Sequence, residues 1–369
     1  MRFPEFSGEW DSFKLVELGK FIGGGTPSSS NLSFWTGSIP WISSSDIKED
    51  NINNISISRY ITEDAIEKSA TKYCPAPVIL IVSRVGVGKV ALSHTSLCTS
   101  QDFCNIIDIK CHPVFLSYNL LRTMKRKSRE VQGTSIKGIT SDELQKIRVF
   151  IPKNKDEQNK ISNLLTLLDE RIVTQNKIIE DLKKLKSAIT DLLFHSIADA
   201  HTIRLGEIAH ITNGAGDVQD ANTEHQEDWY PFFDRSEELK WFPTYSFDKE
   251  AVIYAGEGQS FYPRYYNGKF ALHQRCYAIT DFASCIIPKY CYHFMNTLNS
   301  YFVRNSVGST VPSLRMDIFQ KVEIRLPPIP KQQHICKIID AFYTKLEVEQ
   351  RGISILQELK QFLLSQMFI

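Results

Sequence analysis

The chain has 369 residues, enough for two domains that each bury a core. Its formal net charge of +1 excludes a global attraction to nucleic acid or membrane, so any basic surface must be local. No apolar run reaches the length of a membrane span, the N-terminus lacks an apolar signal core, and the eight cysteines form no CxxC pair, so we expect a cytoplasmic protein with reduced thiols.

The first half of the chain is dominated by short β-branched runs that Gly, Pro, Asn and Ser interrupt. The runs at 38–47, 77–92 and 103–110 are typical of strands. The stretch 115–130 has helical periodicity. These patterns predict a mixed α/β body built on a curved sheet.

The second half repeats this character. Strands are predicted within 250–256, 269–280 and 321–327, and helical structure within 289–304. The second body is therefore expected to be another mixed α/β domain.

One long pattern occurs twice. "DEQNKISNLLTLLDERI" (156–172) matches "PKQQHICKIIDAFYTKL" (330–346) in residue type at an offset of 174. Immediately upstream, residues 133–152 match residues 308–327 at an offset of 175. Each copy reads as a Gly-Ser/Thr turn, a strand, a proline stop and a helix. A period this long indicates a duplicated domain and not a solenoid repeat.

The segments 156–197 and 331–369 have apolar residues every three or four positions, which predicts two long helices. Heptad positions a and d define a seam along each, and the polar interruptions fall at equivalent places in both. The seam comprises Ile161, Leu165, Leu168, Ile172, Gln175, Ile179, Leu182, Lys186, Ile189 and Leu193 in the first helix, and Ile335, Ile339, Phe342, Leu346, Glu349, Ile353, Leu356, Lys360, Leu363 and Met367 in the second. We expect an antiparallel coiled coil; the alternative is two helices that each pack on their own domain.

Ordered pieces along the whole chain resemble the specificity (S) subunit of Type I restriction–modification systems. The resemblance rests on "GGGTPSS" (23–29) with "GSIPWISSSDI" (37–47), "SRVGVGKVAL" (83–92), "GTSIKGIT" (133–140) and "IPKNKDEQNKI" (151–161), and on the echoes "LHQRCYAI" and "LPPIPKQQHI" in the second half. The second body departs from the pattern, because residues 254–270 replace the Arg-Gly-Gly-Lys region of the first.

The resemblance implies two target-recognition domains, 1–152 and 200–328, each of which binds one half of an asymmetric bipartite site in double-stranded DNA. It also implies that spacer helices 153–199 and 329–369 set the gap and dock two modification (methyltransferase) subunits. Restriction subunits would join them in bacterial defence. S-adenosylmethionine, ATP and Mg²⁺ would be bound by those partners, so no cofactor and no metal is expected on this chain.

Catalytic motifs are missing from the sequence. There is no Asn/Asp-Pro-Pro-Tyr/Phe motif, "RVGVGKV" (84–90) lacks the GxxxxGK[ST] pattern of a phosphate loop and predicts a strand hairpin, and the histidines are dispersed. "GGGTP" (23–27) predicts a loop that needs positive φ values. Asp108 and Lys110 match only part of a nuclease metal site. We therefore predict a non-catalytic protein.

DNA contacts require Arg, Lys, Asn or Gln side chains for base edges, and positive or hydroxyl groups on loops for phosphates. The candidates of this type are Arg84, Lys89, Thr134, Ser135 and Lys137 in the first body, and Arg264, Lys269, Gln274, Arg275, Ser309, Thr310, Ser313 and Arg315 in the second. The basic run 121–130 is more typical of a solvated helix face than of a phosphate site.

One antiparallel register pairs Gln175 with Lys360 and Lys186 with Glu349, which places polar residues together. A register shifted by one heptad is the alternative. Two other functions stay open: a scaffold or adaptor that binds protein instead of DNA, and a self-contained restriction enzyme or methyltransferase, which the missing motifs oppose.

Overall fold

The computed structural model describes residues 2–131, 138–195 and 199–368. The chain divides into two compact units. Unit 1 comprises Met1–Lys177 with Arg351–Ile369, and unit 2 comprises Ile178–Gln350. Each long helix therefore contributes one part to each unit.

The elements of unit 1 alternate short strands with a few helices. In chain order they are β1 (Trp10–Lys14), α1 (Leu15–Leu18), β2 (Lys20–Gly23), β3 (Ile39–Ile42), β4 (Arg59–Ile61), α2 (Glu63–Glu67), β5 (Tyr73–Cys74), β6 (Val78–Ile81), β7 (Val90–Ser93), β8 (Leu97–Thr99), β9 (Cys104–Ile107), α3 (Pro113–Val131), α4 (Ser141–Lys146), β10 (Arg148–Pro152) and α5 (Lys155–His195), with 3-10 turns at Leu32–Trp35 and Ser44–Asp46.

Unit 1 contains two four-stranded sheets, ordered β2-β9-β6-β7 and β4-β3-β8-β5. One apolar cluster joins the first sheet to α3, to the start of α5 and to the last residues of the chain, and a second lies between strands of the two sheets. β1 pairs antiparallel with β10, Trp10 lying opposite Pro152, so the start of the body is tied to the strand that leads into α5. The predicted hairpin is confirmed, since β6 pairs with β7 around residues 82–89.

Unit 2 also combines strands with short helices, and it has a larger sheet. Its elements are β11 (His201–Arg204), α6 (Leu205–Ile208), β12 (His210–Asn213), β13 (Tyr230–Phe233), β14 (Lys240–Phe242), β15 (Phe247–Ala255), β16 (Arg264–Leu272), β17 (Cys276–Thr280), α7 (Pro288–Met295), α8 (Asn299–Asn305), α9 (Met316–Gln320), β18 (Glu323–Leu326) and α10 (Ile329–Met367), with a 3-10 turn at Val218–Asp220.

The sheet of unit 2 has six strands in the order β12-β17-β15-β16-β13-β14, and β11 pairs separately with β18 just before α10. The run 269–280 is not one strand: it contains the end of β16, a turn and β17. The stretch 289–304 likewise forms two short helices, α7 and α8. The buried side chains of Tyr254, Tyr290 and Phe319 belong to the main apolar core of unit 2.

One buried glutamine in the first turns of each long helix ties that helix to its body. In unit 1, Gln158 donates from Nε2 to the Pro152 carbonyl (2.8 Å) and accepts at Oε1 from the His112 amide (3.1 Å). In unit 2, Gln332 donates to the carbonyl of the proline after β18 (2.9 Å) and accepts from the amide that precedes α7 (2.9 Å). The sequence duplication is thus reproduced in side-chain hydrogen bonds.

The glycine run 23–25 does not use positive φ values, so that prediction is wrong. Gly24 and Gly25 are required by close packing: an ideal Cβ on Gly24 would lie 2.0 Å from the Ser100 carbonyl oxygen, and one on Gly25 2.3 Å from Ala70. Positive φ occurs instead in the β6–β7 turn, at Gly86 and Gly88. A sequence cannot separate these two uses of glycine, because both require the absence of a side chain.

All twenty seam positions of α5 and α10 are buried or half-buried. Within unit 1 the first part of α5 packs on the last part of α10, and within unit 2 Leu193 and Phe194 of α5 share a cluster with Ile335 and Ile339 of α10. The helices are therefore antiparallel. The predicted fold class, a duplicated α/β body with two paired long helices, is confirmed.

The predicted register is wrong. Lys360 pairs with the Asp169 carboxylate and not with Gln175, and Lys186 lies over the Tyr343 ring (4.1 Å) and not against Glu349. Glu349 instead pairs with Lys345 on its own helix. These contacts correspond to the alternative register, which is shifted by one heptad. This register is preferred because it gives the buried Lys360 ammonium a carboxylate partner.

Candidate nucleic-acid interface

In unit 1, three backbone hydrogen bonds hold the turn at residues 100–103. Ser83 donates to the Asp102 carbonyl (2.8 Å), and Ile139 donates to the Ser83 carbonyl (2.7 Å). Phe103 closes the turn by donating to the Ser100 carbonyl (3.3 Å). The end of strand β6, the turn before β9 and the segment before α4 therefore meet at one place.

In unit 2, the same three bonds recur with different residues. Gly256 donates to the Arg275 carbonyl (2.9 Å), and Leu314 donates to the Gly256 carbonyl (2.7 Å). Cys276 closes the turn by donating to the His273 carbonyl (2.9 Å). The two units thus present one turn frame, formed at residues 100–103 in unit 1 and 273–276 in unit 2.

The frame aligns Gln101 with Gln274, and both side chains are exposed. The Gln101 Oε1 accepts from the Thr26 hydroxyl. The sequence predicts Gln274 as a DNA contact but not Gln101, although both stand seven residues before an aspartate with positive φ, Asp108 (52°) or Asp281 (49°). That spacing could have identified it. It also explains Asp108 as a left-handed turn residue, a conformation that aspartate tolerates.

Two positions of the turn frame carry an acidic and a basic residue in one order in unit 1 and in the opposite order in unit 2. Arg275 follows Gln274, and its guanidinium pairs with Glu257 (2.8 Å). At the matching positions of unit 1 stand Asp102, after Gln101, and Arg84, after Ser83. Arg275 is 65% exposed at its side chain and Glu257 22%. The two units therefore offer the same pair of charge types in reversed order.

A concave surface of unit 2 collects Gln274 and Arg275 with residues that the sequence reasoning missed. Arg235, Lys240 and His273 line the same surface. Arg235 is exposed, whereas Lys240 is half-buried in an ion pair with Asp234 (2.7 Å). No motif marks Arg235, because it stands alone in a loop.

The two other predicted basic residues of strand β16 differ in their surroundings. Arg264 is half-buried and donates to the Ser236 carbonyl, at the edge of the concave surface. Lys269 is exposed and its ammonium lies over the Tyr245 ring (4.7 Å). Arg264 thus positions the neighbouring loop, and Lys269 lies apart from Gln274.

The turn before α9 lies beside the frame. Ser313 exchanges two backbone hydrogen bonds with Val307 (2.9 and 2.8 Å) and forms an isolated β-bridge with Glu257. Ser309 and Thr310 at the tip are exposed, as is Arg315 at the N-terminal end of α9. Ser313 is therefore adjacent to Glu257, and Ser309 and Thr310 lie on the same turn.

In unit 1, Arg84 is exposed in the β6–β7 turn, whereas Lys89 is half-buried and donates to the Ser44 carbonyl (3.2 Å). Arg59, which is not among the predicted residues, lies over the Trp41 ring (4.6 Å). Three predicted residues, Thr134, Ser135 and Lys137, lie outside the described residues.

A family model described as the Type I restriction modification DNA specificity domain matches residues 7–184 and again residues 198–361. The chain belongs to this family of specificity subunits. The two matches reproduce the duplication seen in the sequence and in the turn frame.

Several proteins are similar to this specificity subunit. The type I restriction enzyme MjaIX specificity subunit of Methanocaldococcus jannaschii is 26% identical, over 97% of this chain and 92% of that protein. The EcoR124I/EcoR124II specificity subunit of Escherichia coli is 33% identical, over 50% of this chain and 46% of that protein. The relationship to the first therefore extends through both units.

Two solved structures share the fold. The S subunit of a type I restriction–modification system from M. genitalium aligns with a TM-score of 0.65 at 17% identity, covering 100% of this chain and 99% of that one. A chain from a study of type I R-M complex assembly and conformational transition aligns with a TM-score of 0.64 at 15% identity, covering 98% of each.

The basic run of this specificity subunit is partly structural. On α3, Lys125 pairs with Asp50 (2.8 Å) and donates to Gln361 of α10 (3.2 Å). Burial lowers the pKa of Arg122 from its usual value, and the Arg126 charge adds to this effect. Arg126 and Arg129 are exposed members of the run.

Among residues 2–131, 138–195 and 199–368, no group of three or more His, Cys, Asp or Glu side chains could hold a metal ion. No helix in the same ranges is long and apolar enough to cross a membrane. The eight cysteines are free thiols, and burial raises the pKa of most, for example that of Cys74 to about 11. The described surface therefore offers no metal centre to this specificity subunit.

Proposed function

We propose that each unit of this specificity subunit reads one half of an asymmetric bipartite DNA target. The carrying observation is the shared turn frame: the backbone bonds are the same in both units, while the charged side chains that project from it differ. A common scaffold with different exposed groups is what two different half-sites require.

The exposed basic and amide groups beside the frame suit base edges and phosphates. In unit 2 they are Gln274, Arg275, Arg235 and Arg315, and in unit 1 Gln101 and Arg84. Arginine and glutamine make the bidentate contacts that distinguish guanine and adenine in the major groove. Because the net charge of the chain is only +1, binding depends on this local surface.

The helices supply docking surfaces for two methyltransferase subunits. On the part of α10 in unit 1, Ile355, Leu359 and Phe362 are 64%, 44% and 52% exposed and, at spacings of four and three residues, share one face away from the seam. In unit 2, Leu185 and Leu192 of α5 are 49% and 60% exposed, and Leu185 is the repeat equivalent of Leu359. Exposed apolar stripes of this kind mark protein contacts.

Under this proposal the chain is a non-catalytic subunit. S-adenosylmethionine belongs to the methyltransferase subunits, which modify adenine, and ATP and Mg²⁺ belong to the restriction subunits. The residues of this chain select the sequence and hold the partners.

The test is genome-wide mapping of N6-methyladenine in cells with and without this gene, the methyltransferase gene being present in both. A two-part methylated motif that requires this gene is expected. Methylation that is unchanged on deletion would overturn the proposal and favour the scaffold alternative. Methylation by the pure chain with S-adenosylmethionine would overturn the non-catalytic assignment.

A further inference from the structure

We propose that the acid–base pair of each turn frame selects one G·C base pair in its half-site, and that the two half-sites carry this base pair in opposite orientations. This inference rests on the proposed function, since it requires each unit to read its own half-site. The residues concerned are Arg84 with Asp102 in unit 1, and Glu257 with Arg275 in unit 2.

The frame fixes where the two side chains start. One member of each pair follows the residue that donates to the turn, Ser83 or Gly256, and the other carries the carbonyl that accepts that bond. The donor-to-acceptor distances are 2.8 and 2.9 Å. In each unit one member thus carries the accepting carbonyl and the other directly follows the donating residue, and only the order of charge differs.

The arginine and the carboxylate of each pair match hydrogen-bonding groups on the edges of bases. An arginine guanidinium donates two hydrogen bonds to O6 and N7 of guanine, and a carboxylate accepts from N4 of cytosine. An arginine and a carboxylate side by side are therefore complementary to the two edges of one G·C pair. Reversing their order on the same backbone makes the frame complementary to C·G.

The side chains of each pair are also accessible from the surface of the protein. Arg84 and Arg275 are exposed, and both acids are half-buried. In the free protein Arg275 and Glu257 pair with each other (2.8 Å), so neither charge is stranded before DNA arrives. The glutamine beside each pair, Gln101 or Gln274, is the same in both units and would make the same contact in both half-sites.

The experiment exchanges the charges in one unit at a time, in the complex with its methyltransferase subunits. The variants are Arg84→Glu with Asp102→Arg, and Glu257→Arg with Arg275→Glu. Methylation rates are measured on duplexes that carry every single-base replacement in both half-sites of the wild-type motif. Each exchange is expected to reverse the preference at one base pair of one half-site by about 5- to 150-fold, the range of one bidentate contact.

A reversed exposed pair elsewhere in unit 1, Asp64→Lys with Lys68→Asp, serves as the control and should leave every preference unchanged. An unchanged preference in both exchanged complexes would overturn the inference, as would a uniform loss over all duplexes with assembly intact. Two variants in separate units keep the test open if one fails to assemble. A wild-type complex without any bipartite motif would instead overturn the proposed function, and this inference with it.

Discussion

The Lys360 ammonium pairs with the Asp169 carboxylate inside the seam of unit 1. The two side chains are 2% and 3% exposed. Tyr118 donates its hydroxyl to the same carboxylate (2.9 Å), and Lys360 also donates to the Asp50 carbonyl. Burial raises the pKa of Asp169 above its usual range, although the Lys360 charge and both hydrogen bonds act to lower it. The pair therefore fixes the register more than it stabilises the fold.

Unit 2 places a different contact at the same layer. Lys186, the repeat equivalent of Lys360, lies over the ring of Tyr343, which stands at the equivalent of Asp169. A cation over an aromatic ring requires no carboxylate in the seam. Both units thus keep a lysine at the equivalent position of the helix pair. It pairs with a carboxylate in unit 1 and lies over an aromatic ring in unit 2.

Removing one member of the buried pair should be more damaging than removing both. Asp169→Ala leaves the Lys360 charge without its carboxylate, so we expect a loss of about 3–5 kcal/mol in the free energy of unfolding. Asp169→Leu with Lys360→Met should recover most of it. Chemical denaturation measures both, with Glu180→Ala, from an exposed pair with Lys184, as a control of little effect. Equal losses in the single and double variants would contradict the prediction.

The register can be checked by crosslinking. The contacts at Lys360 and Lys186 place Gln175 opposite Ile353, so Gln175→Cys with Ile353→Cys should form a disulfide readily. Leu182→Cys with Ile353→Cys is the matched control and should not. Both are made on Cys285→Ser, because Cys285 is exposed, and are compared on non-reducing gels. Efficient crosslinking of the control pair alone would restore the register predicted from sequence.

The seam could be predicted from sequence because periodicity is local, whereas the register could not. Shifts by whole heptads keep every apolar position inside, and the deciding residue, Asp169, lies outside the a and d positions. Similarly, the sequence does not reveal that "SQDF" (100–103) is equivalent to "HQRC" (273–276), since the two share only the glutamine, Gln101 or Gln274. Their equivalence comes from long-range backbone bonds to Ser83 and Gly256, which no local pattern specifies.

Unit 2 should lose stability on acidification through His293. This side chain is buried against Asp340 (3.0 Å), and burial lowers its pKa below the usual value, although Asp340 acts to raise it. The unfolded chain then binds a proton at a pH where the folded one does not, so stability is present above about pH 6.5 and is lost as the pH falls below it. His293→Gln should flatten this part of the profile. The exposed His201→Gln is the control, and parallel wild-type and His293→Gln profiles would contradict the assignment.

The apolar stripe on α10 should carry part of the methyltransferase affinity. Leu359→Glu places a charge at the centre of Ile355, Leu359 and Phe362, and we expect affinity to fall about tenfold or more. Titration calorimetry with the methyltransferase subunit measures it. Gln357→Glu adds the same charge at an exposed position off the stripe and should have little effect. Equal losses in both variants would indicate a general charge effect and no docking stripe.

The two units should read DNA independently. Residues 202–326 begin and end in the β11–β18 ladder, where Thr202 lies opposite Arg325, so this body can be replaced by that of a relative while α5 and α10 keep their seam. The replaced body brings a new turn frame with new side chains, and the frame of unit 1 at residues 100–103 is untouched. We therefore expect one half of the methylated motif to change and the other half, with the gap, to stay, as mapped by N6-methyladenine sequencing. Replacing residues 202–326 by a body whose side chains at the positions of residues 274 and 275 are the same is the matched control and should alter the motif least. A motif that changed in both halves, or in neither, would show that the units do not read separately.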